Sequence, residues 1–141
     1  MSLLTTVPLF ERCSRRDLAK IASIARDVEY PPATTVVREG DSGAELFVVV
    51  DGEVDVRKGG RKMATLGAGN FFGEMALITG SPRTATVTTG TRLRALVITN
   101  RDFRKLLQGS PDIQFKLLQE VGERLEQLSS RQAPQRIRLR V

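Results

Sequence analysis

Short β segments separated by turn residues fill the middle of this 141-residue chain, from Asp27 to Ile98. Apolar runs such as Leu46–Val50 end at turn signals such as Asp51-Gly52, and Gly59-Gly60 marks a second hairpin. No helical pattern lies between these segments, so a sheet built from crossover helices is excluded. Seven or eight strands at this spacing predict a closed barrel or a jelly roll.

Helical patterns flank the β segments on both sides. Ser14 begins a capping signature, and the apolar residues after it recur at the spacing of a helix over 15–26. After the strands, Asn100 is predicted to cap a helix over 101–108, and a longer helix covers 112–130. The predicted fold is mainly β with flanking helices: an eight-stranded jelly-roll β-barrel, an N-terminal helix and two C-terminal helices.

Length and charge divide the chain into one folded unit and a tail. Residues 1–130 fit a single domain, and residues 131–141 are predicted to be a basic, flexible tail. Four arginines and no acid lie in these last eleven residues, out of a net charge of +6 for the chain. The body is therefore not a basic nucleic-acid platform. The tail is either a solvated segment or a contact for nucleic acid or an acidic membrane.

The residue types that are missing exclude several kinds of site. The chain has no histidine and one cysteine, Cys13, which excludes histidine-based metal sites and general bases, Cys/His zinc sites and an internal disulfide. A single cysteine is compatible with a reducing, cytoplasmic location. No apolar run is long enough to span a membrane, and the N-terminus does not have the pattern of a secretory signal. We therefore expect a binding protein without a catalytic site, a metal or a cofactor.

The segment Phe72–Val87, FGEMALITGSPRTATV, combines the features of a phosphate site. Gly73 allows a ligand to approach the backbone, and the turn Glu74–Ala76 presents N–H groups that favour an anion. Arg83 can meet two phosphate oxygens with its planar guanidinium. The Glu74 carboxylate can accept hydrogen bonds from sugar hydroxyls. The alternative is that the segment forms an ordinary turn with a cation on the surface. Because the segment lies between two predicted strands, we favour a binding site for a small phosphorylated sugar.

The same sixteen letters resemble the phosphate-binding cassette of the cyclic nucleotide-binding domain family, without insertion or deletion. The run Val37–Val56, VREGDSGAELFVVVDGEVDV, also resembles the glycine-punctuated strands of that family, and the resemblance extends over about residues 4–130. It is the type found in catabolite activators and protein-kinase regulatory subunits. The resemblance implies an eight-stranded barrel that holds cAMP or cGMP, with helices that move when the ligand binds.

The resemblance also implies roles for single residues. Arg83 would pair with the cyclic phosphate, Glu74 would accept from the ribose 2′-hydroxyl, and backbone amides of the cassette would surround the phosphate and sugar. The full ligand-binding set is Phe72, Gly73, Glu74, Met75, Ala76, Arg83, Thr84 and Ala85. A threonine directly after the cassette arginine, as at Thr84, resembles the sequences of cGMP-dependent kinases and of channels that respond to both cAMP and cGMP. Its hydroxyl can accept from the amino group of guanine but does not exclude adenine. We favour cAMP as the commoner bacterial-type ligand, and cGMP stays open.

A lid over the base is expected from the last helix, with Arg124, Leu125 and Leu128 as candidates. The alternative is that this apolar stripe packs on the barrel or pairs with a second copy in a homodimer. The predicted function is a regulatory module that transmits ligand occupancy through its C-terminal helices to an unidentified effector. The alternative is a fragment of a catabolite-activator-like transcription regulator without its DNA-binding domain. A metal-dependent barrel enzyme is disfavoured by the missing histidines.

Overall fold

The computed structural model describes residues 14–73, 79–115, 117–119 and 122–123. Within them, eight strands form two four-stranded antiparallel sheets, with helices before and after. The helices are α1 (Arg15–Ile24), α2 (Asn100–Gly109) and α3, which is described at 111–115, 117–119 and 122–123. The strands are β1 (Arg26–Tyr30), β2 (Thr35–Val37), β3 (Glu45–Asp51), β4 (Val54–Lys58), β5 (Arg61–Leu66), β6 (Phe71–Phe72), β7 (Thr86–Thr89) and β8 (Leu93–Thr99). The predicted class, mainly β with flanking helices, is confirmed.

The chain passes back and forth between the two sheets. One sheet has the order β1-β8-β3-β6 and the other β2-β7-β4-β5, so β4 and β5 are the consecutive strands that pair. Gly59 and Gly60 join them with positive φ angles of 59° and 78°, as the hairpin signal predicted. The hairpin predicted at Asp51-Gly52 is wrong, because β3 and β4 lie in different sheets. Gly52 instead packs against the backbone of Arg92, whose carbonyl oxygen leaves no room for a Cβ.

Strand β3 lies at the centre of the packing because both of its faces are buried. Leu46 and Val48 pack against the helices, whereas Phe47 and Val49 point between the two sheets. A strand that is buried on both faces has no solvent-exposed face, which explains the uninterrupted apolar sequence of β3. The same division separates the neighbours Phe71 and Phe72 of β6, the first facing the helices and the second facing the inter-sheet core.

Each helix begins at a capping side chain. The Ser14 hydroxyl accepts from the Asp17 N–H at 3.1 Å, as predicted for α1, which ends at Ile24 because β1 begins two residues later. The predicted cap of α2 is wrong. Thr99, not Asn100, is the N-cap, and its hydroxyl accepts from the Asp102 N–H at 3.3 Å. No helix among the described residues is long and apolar enough to cross a membrane.

Candidate ligand-binding site

Arg83 lies at the centre of the candidate site, although it belongs to the loop before β7. Its side chain is buried, with the residue only 7% exposed. The Arg83 N–H donates to the carbonyl of Asp41, and the Arg83 carbonyl accepts from the N–H of Gly40, each at 2.8 Å. The loop between β2 and β3 therefore fixes the Arg83 backbone from a position forty residues earlier in the chain.

The guanidinium of Arg83 rests where the first residue of β3 meets the residue after β6. Nη1 donates to the carbonyl of Gly73 at 3.3 Å, and Nη2 donates to the carbonyl of Glu45 at 3.1 Å. Its Cζ lies 5.8 Å from the centroid of the Phe47 ring, a distance at which a cation interacts with an aromatic face. Phe47 in turn stacks on Phe72, with centroids 4.9 Å apart and ring planes 8° from parallel. Two carbonyls and an aromatic stack thus orient the cation.

Two glycines make room for this arrangement. A Cβ on Gly43 would lie 1.9 Å from Nε of Arg83 and 2.3 Å from its Cζ, so a side chain there would occupy the place of the guanidinium. Gly73 has a φ of 95°, and its Cβ would lie 2.7 Å from the carbonyl oxygen of Glu45. Only glycine adopts that conformation readily. A side chain at either glycine would therefore disturb the position of Arg83 or of Glu45, and the predicted approach of a ligand to Gly73 stays a prediction.

Glu39 ties the loop that holds Arg83 to its surroundings. The Glu39 N–H donates to the hydroxyl of Thr86, and its carboxylate accepts from the N–H of Gly59, both at 2.9 Å. A cleft of about 200 Å³ opens beside Arg83, lined by Thr35, Val36, Val37, Arg38, Asp41 and Ser42. This volume is below that of most small-molecule pockets.

A larger cleft, of about 470 Å³, lies on the outer face of the other sheet and contains none of the predicted site residues. It is lined by Asp27, Glu29, Asp51, Arg92 and Arg94. Arg94 pairs there with Asp27 and Arg92 with Glu29. Opposite charges that already satisfy one another make this cleft a weaker candidate than the smaller one at Arg83.

The structure brings some of the predicted residues together. Phe72, Gly73 and Arg83 form one cluster, whereas Thr84 is exposed and Ala85 half-buried directly after Arg83. The remaining predicted residues lie outside the described part of the chain: Glu74, Met75, Ala76, Arg124, Leu125 and Leu128. Their predicted roles therefore stay predictions. In the part of the chain that is described, no group of three or more His, Cys, Asp or Glu side chains could hold a metal ion.

The sequence did not single out three residues that position Arg83. Gly43 was visible only as the second glycine of a turn, EGDSG, and nothing in the turn indicates a guanidinium beside it. Phe47 was hidden inside an apolar run that reads as core. Glu45 contributes a backbone carbonyl, and a backbone contact leaves no signature in the residue type.

Comparison with known proteins identifies the fold and the family. The family model described as "Cyclic nucleotide-binding domain" matches residues 27–110, more than half of the chain. The crystal structure of the catabolite activator protein of Thermus thermophilus superposes with a TM-score of 0.81 and 26% identity, covering 88% of this chain and 61% of that one.

Two curated relatives share 40% identity with the chain. One is a cyclic nucleotide-gated potassium channel of Rhizobium etli, matched over 111 residues, 79% of this chain and 31% of the channel. The other is a cAMP-dependent protein kinase regulatory subunit of Mycosarcoma maydis, matched over 113 residues, 74% of this chain and 22% of the subunit. The chain thus spans less than a third of the length of these relatives. It belongs to the cyclic nucleotide-binding domain family.

Proposed function

We propose that this chain binds cAMP, with cGMP as a second ligand, and transmits the occupancy of the site through its C-terminal helices. The observation that carries the proposal is the buried guanidinium of Arg83, seated on Phe47 and beside the left-handed Gly73. All three residues lie inside the segment that matches the family model. A buried cation is suited to an anionic ligand, since a charge-assisted hydrogen bond contributes about 1.5–3 kcal/mol.

In the proposed complex Arg83 pairs with the cyclic phosphate, and Glu74 accepts from the ribose 2′-hydroxyl. Backbone N–H groups of Gly73, Glu74, Ala76 and Ala85 surround the phosphate and the sugar. The positive φ of Gly73 and its hydrogen bond with Arg83 support this assignment, because they put the backbone of Gly73 next to the cation. No metal or cofactor takes part, since the arginine and the N–H groups already match a singly charged phosphate.

The preference for cAMP rests on the name of one relative, and Thr84 is compatible with cGMP as well. The relative from Mycosarcoma maydis is named for its dependence on cAMP. Thr84 is exposed next to Arg83, and its hydroxyl can accept from the amino group of guanine without excluding adenine. Arg124, Leu125 and Leu128 are proposed as the lid over the base, within a domain of residues 1–130 followed by a basic tail, 131–141.

We also propose that the two sheets close into an eight-stranded jelly-roll barrel. The alternation of strands between the sheets and their shared inter-sheet core support this finer description. The transcription-regulator fragment is not favoured, because the two relatives at 40% identity are a channel and a kinase subunit. We expect a cytoplasmic domain without enzymatic activity, and a homodimer is compatible with the apolar stripe of the last helix.

Titration calorimetry tests the proposal. We expect micromolar or tighter binding of cAMP to the wild type, with cGMP titrated in parallel. Arg83→Ala is expected to weaken binding by about tenfold or more, because it removes the charge-assisted hydrogen bonds to the phosphate. Arg104→Ala, at an exposed arginine of α2, is the matched control and should leave the affinity unchanged. Absence of binding heat for both nucleotides, or equal affinity in Arg83→Ala, would contradict the proposal.

A further inference from the structure

The loop after β2 holds the segment Arg83–Thr86 at both of its ends. The N–H of Gly40 and the carbonyl of Asp41 bond the backbone of Arg83, each at 2.8 Å. The N–H of Glu39 donates to the hydroxyl of Thr86 at 2.9 Å. The proposed ligand-binding residues that directly precede β7 all lie in this segment, so the position of the loop determines where they lie.

Strand pairing does not extend far enough to fix this loop. The pairing of β2 with β7 ends where Val37 lies opposite Val87, and its register shifts just before that point. Beyond it the loop contains Gly40, with a φ of 90°, and Gly43. Glycines give a chain many accessible conformations, so the loop needs another anchor to keep a single one.

Glu39 provides that anchor with its side chain. Its carboxylate accepts from the N–H of Gly59 at 2.9 Å, in the turn that joins β4 and β5. A hydrogen bond to a charged acceptor is stronger than one between neutral groups. Because β4 also pairs with β7, this turn belongs to the same sheet as Thr86. Glu39 is thus bonded to one sheet at two places, through its N–H and through its carboxylate.

We propose that Glu39 is a positioning residue of the ligand-binding site: its carboxylate fixes the loop, and the loop fixes Arg83. The inference rests on the proposed function, in which Arg83 pairs with the cyclic phosphate. A carboxylate repels a phosphate, so Glu39 acts through the backbone of Arg83 and not by contact with the ligand. If Glu39 were only an exposed acid that stabilises the fold, its removal would leave the affinity for a nucleotide unchanged.

Calorimetry with cAMP on two variants of Glu39 tests this role. Glu39→Ala removes the bond to Gly59 and should weaken binding about threefold, whereas Glu39→Gln keeps a side-chain oxygen that can accept and should bind as the wild type does. Glu53→Ala is the matched control. Glu53 is also exposed, and its N–H also donates to a threonine hydroxyl, that of Thr91 at 3.0 Å, but its carbonyl accepts from Gly90. Its removal should leave the affinity unchanged.

Two further measurements separate positioning from stability. In a protein that already carries Arg83→Ala, the substitution Glu39→Ala should cause no further loss of affinity, because the group that it positions is gone. Hydrogen exchange without nucleotide reports on the loop directly. The Arg83 amide, which donates to the carbonyl of Asp41, should exchange about threefold faster in Glu39→Ala, and the Gly90 amide should not change.

Several results would overturn the inference. These are wild-type affinity in Glu39→Ala, an equal loss in Glu39→Gln, and a loss that adds to that of Arg83→Ala. Tighter binding by both Glu39 variants would also overturn it, because it would show direct repulsion of the ligand, and so would an unchanged exchange rate of the Arg83 amide. If the wild type bound neither cAMP nor cGMP while that exchange rate rose in Glu39→Ala, the proposed function would be rejected and the positioning of Arg83 by Glu39 supported.

Discussion

Two arginines of this domain are held in opposite ways. Arg83 is buried and donates to the carbonyls of Gly73 and Glu45. The Arg94 side chain is 45% exposed and donates to both carboxylate oxygens of Asp27, with Nε at 3.0 and 3.2 Å and Nη2 at 2.6 Å. The Asp27 carboxylate pairs with the guanidinium of Arg94 on the surface, whereas two backbone carbonyl oxygens orient the guanidinium of Arg83 in the interior. The difference separates an arginine that links two strands on the surface from one that the backbone orients at the candidate site.

The largest expected effect comes from displacing Arg83 without mutating it. In Gly43→Ala, the new methyl group would lie 1.9 Å from the present position of Nε. The guanidinium is the end of a flexible side chain, so we expect it to move away at little cost to stability. Because the displaced group no longer meets the phosphate, the affinity for cAMP should fall by about tenfold, as in Arg83→Ala. Calorimetry and thermal melting measure the two quantities.

Gly90→Ala is the control for this substitution. Its Cβ would have ordinary contacts, the nearest at 3.8 Å from the carbonyl oxygen of Glu53, so the affinity should be unchanged. Full affinity in Gly43→Ala would contradict the claim that the present position of Arg83 is the binding position.

The aromatic support of Arg83 has a smaller expected effect on binding. Phe47→Leu removes both the stack on Phe72 and the ring beneath the guanidinium. We expect the free energy of unfolding to fall by about 1–3 kcal/mol, and the affinity to fall by less than in Gly43→Ala, because the carbonyl contacts remain. Denaturant unfolding and calorimetry are the measurements.

Phe103→Leu is the matched control for the aromatic support, because Phe103 is equally buried but packs among the helices. It should lose comparable stability and keep its affinity. If both variants lost affinity to the same extent, the effect of Phe47 would be one of general stability rather than of the position of Arg83.

These residues show how far the sequence determines the fold and the site. Local patterns singled out Gly73 and Arg83, which the structure brings together, because a glycine in a turn and an arginine after it are visible as residue types. The position of Arg83 depends on Gly43 and Glu45, which are distant in the sequence and act through space and backbone, so no local pattern reveals them. The Asp51-Gly52 turn illustrates the same limit: its residues specify a reversal, but packing decides which sheet the next strand enters.

The predicted N-cap of α2 was wrong for a related reason. Both Thr99 and Asn100 have side chains that can cap a helix. Thr99 pairs with Glu45 at the end of β8, which holds its backbone extended at a φ of −70° and a ψ of 155°, as an N-cap requires. Asn100 is left as the first residue of the helix, and its side chain accepts from Arg104. The long-range pairing of β8 with β3 thus determines which residue caps α2.

The smallest expected effect is on the melting temperature, when the exposed ion pair of Asp27 and Arg94 is removed. The hydrogen bond from Arg94 holds the carboxyl pKa of Asp27 below its ordinary value. A lowered pKa in the folded state stabilises the protein above the unfolded pKa, about 3.9, and this contribution is lost as the pH falls through the folded pKa. Asp27→Asn should therefore lower the melting temperature slightly at neutral pH, and the difference should vanish in acid and shrink in high salt. The affinity for cAMP should not change. A melting difference independent of pH, or a loss of affinity, would show that Arg94 is not the purely structural arginine that the comparison with Arg83 requires.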